Sequence, residues 1–155
     1  MKANRPVITT IKKTRRSPEA NLQIAVCQWL FLAGVKYLIY FAVPNGMVSD
    51  GRTVARMKLQ GLRPGVADLI IAPPHSPWKC LELKSPEGVQ SPEQKKFQAD
   101  CVANGTQYAI ADNIDDAIRI LIEWGALRVE MCGKWGKAKR SPDKPLTRVT
   151  MRKAA

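Results

Sequence analysis

The chain has 155 residues, 45% of them hydrophobic and 25% charged, and a formal net charge of +12. That length fits one domain with a real core, and no apolar run approaches the roughly 18 residues of a membrane span. The first residues lack the long apolar segment of a secretory signal, so cytoplasmic residence is expected.

Residues 1–17 hold six Lys/Arg (Lys2, Arg5, Lys12, Lys13, Arg15, Arg16) and no acid. Residues 128–155 hold nine, against Glu130 and Asp143, so the segment 18–127 is left near neutral at −1. Basic ends on a near-neutral body suggest phosphate-binding arms. The expected division is a basic arm over 1–16, a folded domain over 17–132 and a basic flexible tail over 133–155.

Ser17-Pro18-Glu19 reads as a helix start, with Ser as N-cap, Pro at the first helical position and an acid in the first turn. Leu22, Val26, Trp29, Leu30 and Ala33 follow at helical spacing until Gly34. Glu19 projects on the same face as Leu22, Val26 and Leu30, so it points inward, with Gln23 one turn on. Val35 to Val43 reads as a strand ending at Pro44-Asn45-Gly46, which forms either a DNA-facing loop or a plain turn. A second helix is expected from about Arg52 to Gln60, closing at Gly61.

The turn Pro64-Gly65-Val66-Ala67-Asp68 then opens the apolar run Leu69–Ala72, and Pro73-Pro74-His75-Ser76-Pro77 separates it from a second run, Trp78–Lys84. The two runs predict a hairpin. Side chains alternate along a strand, so Glu82 and Lys84 share a face, and Asp68 can lie beside them. Two carboxylates and an ammonium on one patch suit a hard cation and phosphodiester hydrolysis. On their own, the same residues also suit a solvated strand face and a turn-ending Asp.

Ser91-Pro92-Glu93 repeats the helix-start signal; its helix carries Gln94, Phe97, Gln98, Cys101 and Val102 and stops at Asn104-Gly105. Gln94 in the first turn either caps this helix or serves the site. Thr106–Ala111 reads as a strand, and Asp112 or Asn113 caps a last helix with Ile114, Ala117, Ile118, Leu121 and Ile122. Leu127, Val129 and Met131 alternate as a short final strand. Strands and helices interleave around a central hairpin, which predicts an α/β fold with a mixed sheet and helices on both faces.

The four cysteines are scattered without a CxxC pair, and His75 is the single histidine, so a Cys/His zinc site is not expected. Each cysteine sits in an apolar run and reads as a buried reduced thiol. His75, in the hairpin turn, is expected to be exposed and not a catalytic base. Trp135, between Lys134 and Lys137, is either a base-stacking residue or idle.

Taken together, these elements resemble the PD-(D/E)xK nuclease superfamily and, more narrowly, its VRR-NUC branch, the virus-type replication–repair nuclease domain. The resemblance spans roughly residues 17–111. It rests on Glu19 and Gln23, Pro44-Asn45-Gly46, Gly61-Leu62-Arg63-Pro64-Gly65-Val66-Ala67-Asp68, Glu82-Leu83-Lys84, Ser91-Pro92-Glu93-Gln94 and Gly105. One departure is Ala67, where the family usually has Pro, a backbone-shaping position without side-chain chemistry.

The resemblance implies a restriction-endonuclease-like αβββαβ core and a DNA endonuclease dependent on Mg²⁺ or Mn²⁺. Asp68 and Glu82 would bind the ion, the Leu83 carbonyl would join them, and Glu19 would complete the site directly or through water. Lys84 would orient the attacking water and offset charge on the phosphate. Gln94 would position Lys84 or the scissile phosphate. Lys12, Lys13, Arg15, Arg16, Asn45, Lys137, Lys139 and Arg140 are the expected DNA contacts. Branched DNA such as a four-way junction is the expected substrate, and a homodimer the expected state, with Ile114–Ile122, Trp124 and Leu127 as its candidate interface. Two other readings stay open: a catalytically silent nucleic-acid-binding module, and a nuclease subunit that needs a partner to recognise DNA.

Overall fold

The structure is a computed structural model and describes residues 17–44 and 50–133. The candidate DNA contacts Lys12, Lys13, Arg15, Arg16, Asn45, Lys137, Lys139 and Arg140, and also Gly46 and Trp135, lie outside the described residues. Helix α1 runs Pro18–Ala33, strand β1 Ile39–Ala42, helix α2 Gly51–Leu59, and strands β2 and β3 Leu69–Ala72 and Lys79–Leu83. Helix α3 (Pro92–Ala103), strand β4 (Gln107–Ala111) and helix α4 (Ile114–Glu123) complete the regular elements, before a single 3₁₀ turn at Val129–Met131. No helix among the described residues is long and apolar enough to cross a membrane.

The starts of α1, α3 and α4 follow the sequence signals, and that of α2 has a cap the sequence reading did not name. The Ser17 hydroxyl accepts from the Ala20 amide at 3.2 Å, and Asp50 and Asn113 cap α2 and α4 in the same way. Such a cap satisfies one of the N–H groups that a helix start leaves unpaired. Gly34 ends α1 for a packing reason: a Cβ there would sit 2.3 Å from the Leu30 carbonyl oxygen.

The sheet has strand order β1-β2-β3-β4, antiparallel across the first two pairs and parallel between β3 and β4. Both inner strands are buried along their whole length, as strands covered on two faces must be. Leu69, Ile71, Leu81, Leu83, Ala109 and Ala111 face α1 and α4 and form the larger core with Val26, Leu30, Ile118 and Leu121. On the opposite face Ile70, Cys80 and Tyr108 meet Cys101 and Phe97 of α3. The mixed α/β architecture with helices on both faces agrees with the sequence reading.

Three expectations need correction. The first strand is shorter than 35–43, because Lys36-Tyr37 forms a turn with Tyr37 at φ 65° before the chain reaches the sheet edge. The alternation of Leu127, Val129 and Met131 does not make a strand. The Arg128 amide donates to the Ala33 carbonyl, and the Arg128 guanidinium donates to the Leu32 carbonyl. The chain is thereby tied to the end of α1; only Leu127 forms a bridge, to Gly34, while Val129 and Met131 are exposed. Finally, the apolar face of α4 is no spare surface. Ala117, Ile118, Ile120, Leu121, Trp124 and Leu127 are all buried in the chain's own core.

Cys80, Cys101 and Cys132 are buried free thiols, and Cys27 is half-buried and free. Burial, with the neighbouring Cys101, pushes the Cys80 thiol up to about 12, so it is inert at neutral pH. His75 is exposed in the hairpin turn, as expected.

Candidate active site

Asp68 and Glu82 are brought together by register. Leu69 pairs with Leu81 across the antiparallel β2–β3 ladder, so Asp68 stands opposite Glu82 and on the same face of the sheet. The Asp68 Oδ2 accepts from the Leu83 amide at 2.8 Å, which fixes its carboxylate at the end of β3. Two residues on from Glu82, the Lys84 ammonium returns to Glu82 Oε1 at 2.9 Å.

Glu82 is completely buried. Besides Lys84, the Gln94 side-chain amide donates to its Oε1, and the Tyr108 hydroxyl donates to its Oε2 at 3.2 Å. The Gln90 amide in turn donates to the Tyr108 oxygen at 3.4 Å. Burial raises the proton affinity of Glu82; the Lys84 contact opposes this, and the negative charge of Asp68 adds to it. Burial likewise pushes the Tyr108 phenol up, so it stays a donor across the physiological range.

Gln94 has two contacts that follow from one geometry. Its Oε1 accepts from the Ser91 amide at 2.9 Å while the Ser91 hydroxyl accepts from the Gln94 amide at 3.2 Å, a reciprocal cap at the start of α3. The same side chain then offers its N–H group to Glu82. Gln94 therefore caps α3, and its side-chain contact within this cluster is to Glu82, where a contact to Lys84 was expected. The turn before Asp68 packs onto this helix start. Gly65 has φ +77°, and a Cβ there would lie 2.3 Å from the Glu93 carbonyl carbon. Only glycine permits that approach.

Glu19 points inward as expected, but it is engaged by backbone: its Oε1 accepts from the Ser85 amide at 3.1 Å. It therefore stands at the residue after Lys84. No three His, Cys, Asp or Glu side chains among the described residues converge closely enough to hold an ion together. Asp68 and Glu82 form the pair that fits a hard divalent cation: both offer oxygen donors, and their mutual repulsion on Glu82 is what a cation would relieve.

The sequence reading did not identify Tyr108 or Gln90. Tyr108 reads as one more apolar member of a strand, and its place behind Glu82 depends on the parallel β3–β4 register, in which Cys80 pairs with Tyr108. That register carries no local signal.

Among solved structures the chain is similar to one described as "VRR_NUC domain protein", with a TM-score of 0.57 and 21% identity over 74% of this chain and 98% of that one. A second, "VRR_NUC domain", is 15% identical over 70% of this chain and 97% of that one, with a TM-score of 0.49, too loose a likeness to carry weight. No protein-family model matches the chain, and no curated protein matches it. The first likeness shows that this chain has the fold of the VRR-NUC domain.

Because the folded protein holds the Glu82 proton more tightly than the unfolded chain does, its contribution to stability is fully present below the ordinary Glu value of 4.5. It is lost as pH rises through the higher folded value. Without divalent ions, the melting temperature should fall as pH rises from 4.5 to that folded value and then level off, and Glu82→Gln should flatten this stretch of the profile. Thermal melts in EDTA across pH 4–8 test this; equal slopes for parent and variant would show that another group titrates.

Proposed function

We propose that this chain is a Mg²⁺- or Mn²⁺-dependent DNA endonuclease that hydrolyses phosphodiester bonds in branched or structured DNA such as four-way junctions. The observation that carries this reading is the convergence of Asp68, Glu82 and Lys84 at the ends of β2 and β3, with Gln94 holding Glu82. The fold shared with a "VRR_NUC domain protein" supports the same class of chemistry.

Asp68 and Glu82 would hold the ion, with the Leu83 carbonyl as a further oxygen donor. When bound, a divalent ion polarises the phosphoryl group and makes water a competent nucleophile near neutral pH. The chain's own residues do the rest. Tyr108 and Gln94 hold the Glu82 carboxylate in one orientation. The Lys84 ammonium, next to that carboxylate, orients the attacking water and offsets charge growing on the phosphate oxygens. The occupied oxygens of Glu82 also favour a second reading, a silent DNA-binding module in which Lys84 permanently neutralises the acid.

Incubation with linear, flapped and four-way DNA in Mg²⁺, Mn²⁺ or EDTA separates the two. Cleavage of the branched forms that stops in EDTA is expected, and binding without cleavage in every ion would leave the silent module. Glu82→Ala and Lys84→Ala should each lower turnover by about 100-fold or more, the loss typical for one preorganised charge-stabilising group. Binding of DNA without metal should be largely kept. Turnover by either variant within a few-fold of the parent would refute these roles.

The charge at the chain ends supports a role for Lys12, Lys13, Arg15, Arg16, Lys137, Lys139 and Arg140 as phosphate contacts, and Asn45 is proposed as a further DNA contact. Deleting residues 1–14 and 137–155 should weaken binding and flatten its salt dependence, by about 0.9 in log–log slope for each phosphate no longer neutralised. A slope identical to that of the full chain would remove the arms from the interface.

A homodimer belongs to this reading, since two identical sites suit a symmetric junction. With α4 covered, we place the interface on the outer face of α1, where Phe31 is 80% exposed and Leu32 64%, beside Ile24. Light scattering at micromolar concentration should give the mass of two chains, and of one chain for Phe31→Glu. A single-chain mass for the parent would sink the proposal.

A further inference from the structure

Beside Lys84, on the side away from Asp68 in sequence, the chain forms a cavity of about 420 Å³. Its walls come from three places in the fold. Lys84 and the loop 85–90 supply one side, Lys95 of α3 another, and Ile110, Asp112 and Asp116 at the β4–α4 junction the third. The size falls within the roughly 300–1,000 Å³ of clefts that take small organic ligands.

The chemistry of the lining is graded. Two ammonium groups approach from β3 and α3, and two carboxylates from the start of α4. The carboxylates are held in place: the Asn113 side-chain amide donates to Asp112 at 2.6 Å and to Asp116 at 2.7 Å, and the Arg119 guanidinium pairs with the other Asp116 oxygen, so Asp112 is the acceptor offered to a ligand. Pro86, Val89 and Ile110 add apolar surface to the same lining. A nucleotide carries the matching kinds of group, an anionic phosphate, an apolar base face and, in adenine, cytosine and guanine, an exocyclic amino donor that Asp accepts from. The wall also reaches the buried acid. Gln90, which lines the cavity, donates to Tyr108, and Tyr108 donates to Glu82.

We propose that this cavity receives the base of one nucleotide adjoining the phosphate at Lys84, rotated out of its stack. The proposal rests on the nuclease reading above and deepens it, by making the substrate a DNA in which a nucleotide next to the cut is free to leave the helix. Unstacking costs a few kcal/mol in a paired duplex and least where the base is already unpaired. Junctions, flaps and mismatched ends meet that condition, and a continuous duplex does not. Amino-bearing bases fit the carboxylate end and thymine, which offers a carbonyl oxygen there, does not.

The test uses the full chain in EDTA with a labelled four-way DNA in which 2-aminopurine is moved one position at a time through the branch. Among the described residues no aromatic ring lines the cavity, so a 2-aminopurine that leaves its stack and enters is not quenched. One position should brighten several-fold on binding, and anisotropy should report the affinity in the same samples. Val89 lines the cavity and is 84% exposed, so Val89→Trp places bulk at the cavity wall without disturbing the core. That variant should abolish the brightening and weaken binding at least tenfold. It should bind the same DNA within twofold of the parent when the brightening position carries an abasic residue.

Binding by the parent without brightening anywhere overturns the cavity proposal, as does brightening retained by Val89→Trp. Equal weakening by Val89→Trp on the base-bearing and abasic DNA also overturns it, since that is general obstruction. Brightening without cleavage after Mg²⁺ or Mn²⁺ is added refutes the nuclease reading and leaves the cavity as a base-binding site. No binding of any DNA refutes both.

Discussion

The site turns on one carboxylate taken entirely out of water. An ionised acid in a protein interior costs several kcal/mol unless it is paired and hydrogen-bonded. Glu82 has that support on both oxygens, from Lys84, Gln94 and Tyr108. These partners act on one charge and are therefore not independent: losing one leaves the others holding an under-compensated acid, and their effects on stability will not add. The presence of Asp68 across the strand pair makes the arrangement more demanding still, since like charge opposes ionisation of Glu82.

The fold meets that demand with backbone devices more than with bulk. The antiparallel register puts Asp68 opposite Glu82, and the Leu83 amide locks the first of them in place. The parallel register on the other side of β3 brings Tyr108 behind the second. Gln94 connects helix formation to the site, because the cap that starts α3 also aims its amide at Glu82. Gly65 allows the approach of the preceding turn to this helix start, where any side chain would strike the Glu93 backbone. An error in any one of these local features would displace a charge as well as its packing.

Much of this was legible in the sequence because local chemistry determined it. The starts of α1, α3 and α4 are marked by Ser17, Ser91 and Asn113, and the β2–β3 hairpin by two apolar runs around a Pro-rich turn, while the Asp50 cap of α2 was not recognised. Glu82 and Lys84 share a face by strand alternation alone, and Glu19 points inward by helical periodicity. What was not legible depends on pairing between distant segments. Tyr108 and Gln90 belong to the site through the β3–β4 crossover, whose register has no sequence mark. The apolar stripe of α4 suggested an interface because periodicity gives a helix an apolar face without saying what covers it. The alternation of Leu127, Val129 and Met131 misled for a similar reason: Arg128, between them, finds its partners on α1.

Glu19 ties the loop after β3 to the first helix. Its carboxylate holds the Ser85 amide, and Gly88 lies so close that a Cβ there would stand 3.2 Å from the same oxygen. The loop 85–90 is thus pinned to the first turn of α1 through one acid. That loop begins at Lys84, walls the cavity through Pro86, Val89 and Gln90, and ends at the Ser91 cap of α3. A displacement of Glu19 toward the paired carboxylates would release the Ser85 amide, and with it the near wall of the cavity. The position of one carboxylate on α1 therefore bears on the shape of the space beside Lys84. The contact is direct because the loop starts at the residue that Glu19 holds, Ser85, and folds back to Glu19 at Gly88.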